Sequence, residues 1–116
     1  MENNECLFCK IINGEIPCTK VYENEYVLAF KDISPVTPVH VLVIPKVHIS
    51  NINELDMKND MYIVQIFKAI KEVARICEVF DTGYRVVSNC GKDAGQTINH
   101  LHFHLLGGEN LGEKII

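Results

Sequence analysis

At 116 residues the chain has room for one domain, 1–116, and its 47% apolar content suits a compact fold rather than a disordered one. A net charge of −4 argues against attachment to nucleic-acid polymers by bulk phosphate neutralisation, yet leaves room for a single bound nucleotide. No apolar run approaches the ~20 residues of a membrane span, and the polar start Met1-Glu2-Asn3-Asn4-Glu5 is unlike a signal peptide, so no membrane partner is expected.

The five cysteines (Cys6, Cys9, Cys18, Cys77 and Cys90) are odd in number and scattered, which is poor material for a disulfide framework. Reduced thiols in a cytoplasmic protein are the expectation.

In chain order, residues 6–12 read as a short helix closed by Asn13-Gly14. A strand over 19–22, a turn at Asn24-Glu25 and a strand over 26–30 read as a hairpin. A loop with two prolines, 32–38, leads to a third strand, 39–44, whose near-continuous apolar character places it centrally, with Pro45 stopping it. The run 58–80 is an amphipathic helix, with Ile63, Ile66, Phe67, Ile70, Val73, Ala74 and Cys77 on one side and Gln65, Lys68, Lys71, Glu72, Arg75 and Glu78 on the other. A turn at 81–83, a fourth strand over 84–88 and a glycine-containing loop over 89–97 follow. Strands split by one long helix, without βαβ alternation, predict an α+β fold: a five-stranded, mostly antiparallel sheet with one long and one short helix. One long helix covers one sheet face, so the other must be solvated, cover a ligand or meet a partner.

The fifth strand is the most informative segment: His100-Leu101-His102-Phe103-His104-Leu105-Leu106. Strict alternation points Leu101, Phe103 and Leu105 into the core and three imidazoles to the opposite face. Residues two apart on a strand lie roughly 7 Å apart and residues four apart roughly 13 Å. Zinc–nitrogen bonds are only about 2 Å long, so His100 and His104 cannot share one zinc ion. The row therefore divides its labour, unless it is merely a polar face wetted by solvent. The preceding loop offers Gly95 for close backbone approach and Gln96 and Thr97 as side-chain donors; it is either an ordinary connection or an anion cradle. His40, at the start of the third strand, also fits a core histidine hydrogen-bonded to a carbonyl, and His48, in the loop after Pro45, a surface residue; neither is telling alone. The pair Cys6-Leu7-Phe8-Cys9 is half of a zinc site, a redox pair, or two unrelated cysteines. A zinc site needs two more ligands, which His48 and one end of the histidine row can supply.

Four blocks together, residues 8–17 (FCKIINGEIP), 28–35 (LAFKDISP), 40–45 (HVLVIP) and 95–108 (GQTINHLHFHLLGG), resemble the histidine triad (HIT) superfamily in its Hint branch, the nucleoside phosphoramidases. The resemblance covers 6–108 and implies one HIT domain, a homodimer whose sheets join, and a purine nucleotide substrate. It makes His102 the nucleophile that attacks the α-phosphorus and forms a nucleotidyl-histidine, which water then cleaves. It implies that His104 contacts the nonbridging oxygens, that His40 sits beside the pair, and that Thr97 hydrogen-bonds near the scissile bond. By the same resemblance Asn89 and the backbone of Gly95, Gln96 and Thr97 hold the phosphate. Asp32 holds the ribose, and Phe30, Ile33, Phe8 and Ile11 form a slot for the base. It further implies a structural zinc on Cys6, Cys9, His48 and His100, with no metal needed for catalysis. Lys31 and Glu109 depart from the residues common there (His and Arg), and the tail over 110–116 lacks a Trp found in some relatives. The rival readings are a dinucleoside polyphosphate hydrolase, a nucleotide-binding scaffold with vestigial activity, and a zinc-dependent hydrolase.

Overall fold

The computed structural model describes residues 5–116; the polar start at 1–4, on which the export expectation rests, lies outside them. The elements run α1 (Leu7–Ile12), β1 (Lys20–Glu23), β2 (Val27–Lys31), β3 (Val39–Pro45), α2 (Asp60–Ile76), β4 (Tyr84–Val87) and β5 (Phe103–Gly107). All five strands form one sheet in the order β1-β2-β3-β5-β4, every neighbouring pair antiparallel. The expected α+β fold is the observed one. No helix among the described residues is long and apolar enough to cross a membrane.

Turn chemistry sets the boundaries. Asn24 Oδ1 accepts the amides of Tyr26 and Val27 at 2.8 and 2.9 Å, closing the β1–β2 hairpin one residue later than expected. Helix α1 ends at Asn13. The Gly14 amide then donates to Ile11 and the Glu15 amide to Lys10, a Schellman closure that needs the φ of +81° taken up by Gly14.

Helix α2 is shorter than expected at both ends. Asn59 turns its side chain back onto the Asp56 amide, and the helix starts at Asp60. It stops at Ile76 because Glu78, the described non-glycine residue at positive φ (61°), makes a second Schellman closure, its amide on Arg75 and that of Val79 on Ala74. Phe80 therefore lies outside the helix, under the Arg75 guanidinium at 4.5 Å.

The sheet is apolar on both faces, which is why β3 reads as an unbroken hydrophobic run. On one face Val27, Ala29, Val41, Val43, Leu101, Phe103 and Leu105 pack under Ile66, Ala69, Ile70, Val73 and Ala74 of α2. Phe67, expected on the buried side of that helix, sits at its rim and is 53% exposed. On the other face Leu28, Phe30, Leu42 and Ile44 pack against Cys6, Phe8, Cys9 and Ile11. Six residues make too short a helix to persist in water, so this packing holds α1 in place. Each fully buried Phe or Ile contributes about 1.5–3 kcal/mol by area alone. The face that α2 leaves bare is thus covered in part by α1, and the histidines emerge beside it.

Candidate active site

The histidine row departs from a simple strand. Strand β5 begins only at Phe103, because Ser88 gives its hydroxyl to the His102 carbonyl at 2.9 Å and the Leu101 amide goes to the Ile49 carbonyl. The alternation survives nonetheless. Leu101, Phe103 and Leu105 enter the α2 core, while His100 and His102 pack edge to face with Phe8 of α1 at 5.8 and 5.2 Å between ring centroids.

The labour of the row divides as distance requires. His100 is wholly buried, and its Nε2–H donates to the Pro45 carbonyl at 3.0 Å. Its Nδ1 therefore carries the lone pair. That atom lies 3.4 Å from Cys6 Sγ and 3.6 Å from Cys9 Sγ, and His48 Nδ1 lies 3.4 Å from Cys9 Sγ. The four donor atoms sit within 4.8 Å of one another. Zinc bonds of about 2.3 Å to sulfur and about 2.0–2.1 Å to nitrogen give a tetrahedral S···N edge of roughly 3.5 Å, so this set fits zinc. The carbonyl that fixes the His100 tautomer is the outer partner such a ligand needs. Burial pushes the His100 imidazolium down to about 4, which keeps the ring neutral and able to ligate.

The middle imidazole is oriented differently. His102 Nδ1 lies 2.7 Å from the His100 carbonyl, which can only accept, so Nδ1 carries the proton and Nε2 of the neutral ring is left with a free lone pair. His104 follows, its ring centroid 5.2 Å from that of His102.

A second chain of hydrogen bonds fixes His104. The Val36 amide donates to His40 Nδ1 at 3.1 Å, so His40 bears its proton on Nε2 and donates it to His104 Nδ1 at 2.9 Å. His104 is then protonated on Nε2 and presents a donor. Burial first, then the neighbouring His102 and His40, lowers His104 to about 4. Burial also lowers His40, against the opposing carboxylate of Asp32. Asp32 Oδ2 stands 3.4 Å from His40 Nε2, and Oδ1 accepts the Ser34 amide at 2.7 Å.

Other expected positions fall less neatly. Phe8, Ile11 and Phe30 come together, but all three are buried, with Phe8 and Phe30 edge to face at 5.7 Å. Ile33 stands apart from them, 97% exposed in the loop beside Asp32, because the Asp32–Ser34 turn directs it outward.

Gln96 is not a free donor. Its Nε2 donates to the carbonyls of Ser50 at 2.8 Å and Ile98 at 3.0 Å, and its Oε1 accepts the Gly91 amide at 2.9 Å. Nor are the Gly95 and Gln96 amides free to cradle a phosphate: they donate to Lys92 and Gly91 as the loop closes on itself. Gly95 is required by its φ of +83°, with open space where a Cβ would stand, rather than by close approach of a ligand. Asn89 is half-buried at the start of this loop. Thr97 is exposed and lines a groove of about 660 Å³ with Cys6, His48, Ser50 and Asn99; neither His40 nor His104 lines it. Sequence reasoning overlooked Ser88, the Val36 amide and the Pro45 carbonyl. Backbone groups leave no mark in a sequence, and only a polar residue at the end of an apolar strand pointed to Ser88.

Comparison with known proteins now decides the family. The model of the HIT domain matches residues 13–111. This chain belongs to the HIT family. Among HIT relatives it is similar to the purine nucleoside phosphoramidase of Escherichia coli K12, 37% identical over 111 residues, 96% of this chain and 93% of that protein. A HIT-like protein of Azospirillum brasilense is 44% identical over 110 residues, 94% of this chain and 90% of the relative. Among solved structures, a HIT family hydrolase from Clostridium thermocellum superposes with a TM-score of 0.96 at 50% identity, covering 98% of this chain and 99% of that one.

Proposed function

We propose that this HIT protein is a nucleotide hydrolase that cleaves the P–N bond of purine nucleoside 5′-phosphoramidates through His102. The observation that carries the reading is the pair of opposed tautomers. The His100 carbonyl leaves His102 Nε2 as a lone pair, while His40 leaves His104 with an outward N–H. A nucleophile beside a fixed donor suits attack on phosphorus, where charge gathers on the nonbridging oxygens. His102 Nε2 forms a bond to the α-phosphorus as the bond to the amine breaks, giving a nucleotidyl-histidine. Water then attacks this adduct, releasing the nucleoside monophosphate and restoring the imidazole. The adduct is itself a P–N bond, so the first step exchanges one such bond for another and need not run far uphill.

His104 Nε2–H stabilises the phosphoryl oxygens, and His40 keeps that proton in place. Thr97 relays a proton, giving its own to the departing nitrogen as it takes one from solvent. Asp32 takes the ribose hydroxyls, and the exposed Ile33 beside it offers an apolar surface for the base. Cys6, Cys9, His48 and His100 would hold a structural zinc tying α1 and its N-cap to the segment that leads into β5; bound there, it would supply a cross-link and leave the reaction to the imidazoles.

A homodimer is part of the reading. Edge strand β1 is charged at both ends (Lys20 and Glu23), whereas edge strand β4 carries exposed Tyr84 and Val86. An unprotected apolar edge favours sheet joining across β4. A cytoplasmic location accords with five cysteines that form no disulfide with one another.

The test is to quench the enzyme with an adenosine phosphoramidate and locate the adduct by mass spectrometry. The adduct is expected on the peptide bearing His102. His102→Ala should abolish it and turnover while nucleoside monophosphate binding stays measurable. A diadenosine polyphosphate turned over far faster than the phosphoramidate would overturn the substrate assignment.

A further inference from the structure

The Gln96 side chain makes three hydrogen bonds, all to backbone groups: its Oε1 accepts the Gly91 amide, and its two N–H groups donate to the Ser50 and Ile98 carbonyls. The bond to Ile98 spans Thr97. Side chain and main chain together close a ring through Thr97 and Ile98, which restrains how the Thr97 backbone can turn. The bond to Ser50 pins the ring to the segment after His48, and the nearby bond from the Leu101 amide to Ile49 pins the same two segments again. Both polar atoms of the Gln96 side chain are thus engaged with the protein, and neither N–H donor is left to meet a phosphate. Thr97 itself stays exposed, at the lip of the groove it shares with Ser50 and Asn99.

We infer that Gln96 is a positioning residue that acts through Thr97: it aims the Thr97 hydroxyl at the departing nitrogen and takes no part in binding substrate. The inference rests on the proposed phosphoramidase reaction. A hydroxyl that passes a proton to the leaving group matters when that group is a poor one. An alkyl amine cannot depart as its anion and must gain a proton as the P–N bond breaks. An aryl alkoxide such as p-nitrophenolate is stable as an anion and needs none. Loss of Gln96 must therefore show itself selectively, according to the leaving group.

The experiment compares wild type, Q96A, T97A and the double variant Q96A/T97A on two substrates with the same nucleoside. One is the adenosine phosphoramidate of an alkyl amine, the other the p-nitrophenyl ester of AMP. For the alkyl amine, Q96A should lower kcat about 10- to 100-fold with KM within a factor of two or three, the usual range for a proton-transfer contribution. For the aryl ester, kcat should stay within about threefold of wild type. The double variant should be no slower than T97A alone, the non-additivity expected of residues acting as a unit. Should Q96A fail to fold, Q96E serves. It keeps the size and the acceptor for Gly91 but cannot donate to Ser50 and Ile98, and the same selective loss is expected.

Equal losses on both substrates, a rise in KM alone, or additive effects of Gln96 and Thr97 would each overturn the positioning role. A wild-type enzyme active on the alkyl phosphoramidate with an unselective Q96A defeats this inference and leaves the proposed reaction standing. A wild type that cleaves neither substrate defeats the reaction and this inference with it.

Discussion

Replacing Phe8 with alanine tests how α1 is held and what it does for His102. Phe8 is 3% exposed and meets three rings edge-on, those of Phe30, His100 and His102, at 5.7, 5.8 and 5.2 Å. Lost transfer free energy for a buried Phe is about 1.5–3 kcal/mol, and the void left behind brings Phe→Ala changes to about 3–5 kcal/mol. Strand residues Leu28, Phe30 and Leu42 cannot collapse into that void, since their backbones are locked in β2 and β3. The helix could undock instead, which would cap the cost at the docking energy of α1. The expected loss is therefore about 3–4 kcal/mol in a urea titration of purified protein. An unchanged m-value would indicate a filled or empty cavity, and a reduced one an undocked helix. F8L, which retains most of the volume, should lose about half as much. The His102 ring also loses a wall, and kcat/KM should fall about tenfold, equivalent to about 1.4 kcal/mol of misplacement. A cost below 1 kcal/mol with full activity would refute the claim that α1 is held by burial and braces the nucleophile.

Two further expectations concern pH and metal. Folded His104 protonates near 4, and folded His40 is also lowered, whereas the unfolded chain takes up these protons near 6.5. The stability they contribute is complete above about pH 6.5 and is lost as pH falls toward 4. The urea midpoint should thus be flat from pH 8 to 7 and decline from 6.5 to 5, above the range in which ordinary carboxylates titrate; a flat profile through pH 5 would contradict the burial of these rings. Metal analysis should find one zinc per chain. Zinc at a hundred times its dissociation constant adds about 2.7 kcal/mol, or about 10 °C of Tm for a domain of this size. A chelated protein should melt lower by about that amount and recover on adding zinc, while absence of both metal and shift would dismiss the cluster as a metal site.

How far the sequence reached depended on the kind of interaction. Leu101, Phe103 and Leu105 were legible because a period of two is a backbone property that burial on one face imposes on residue type. The separation of His100 from His104 followed from strand length alone, and the structure places them in two distinct clusters. Element ends were less legible. Helix α2 stops at a glutamate in the left-handed region, a conformation that sequence readers assign to glycine. Gln96 was misread for a related reason. A polar side chain in a glycine-rich loop looks free to meet a ligand, and only the fold discloses three backbone groups waiting for it. Ile33 entered the expected slot through the family resemblance, but a turn closed by Asp32 throws it into solvent, away from the buried Phe8, Ile11 and Phe30.

The two duties of α1 have a consequence for how the molecule opens. Cys6 and Cys9 face His48 and His100, while Phe8 and Ile11 face the sheet and the nucleophile, all within two helical turns. A segment that short has no part that can detach while another stays seated. In the language of sub-global unfolding, residues 6–13 form one cooperative unit, and its release would strip the thiols and the wall behind His102 in a single event.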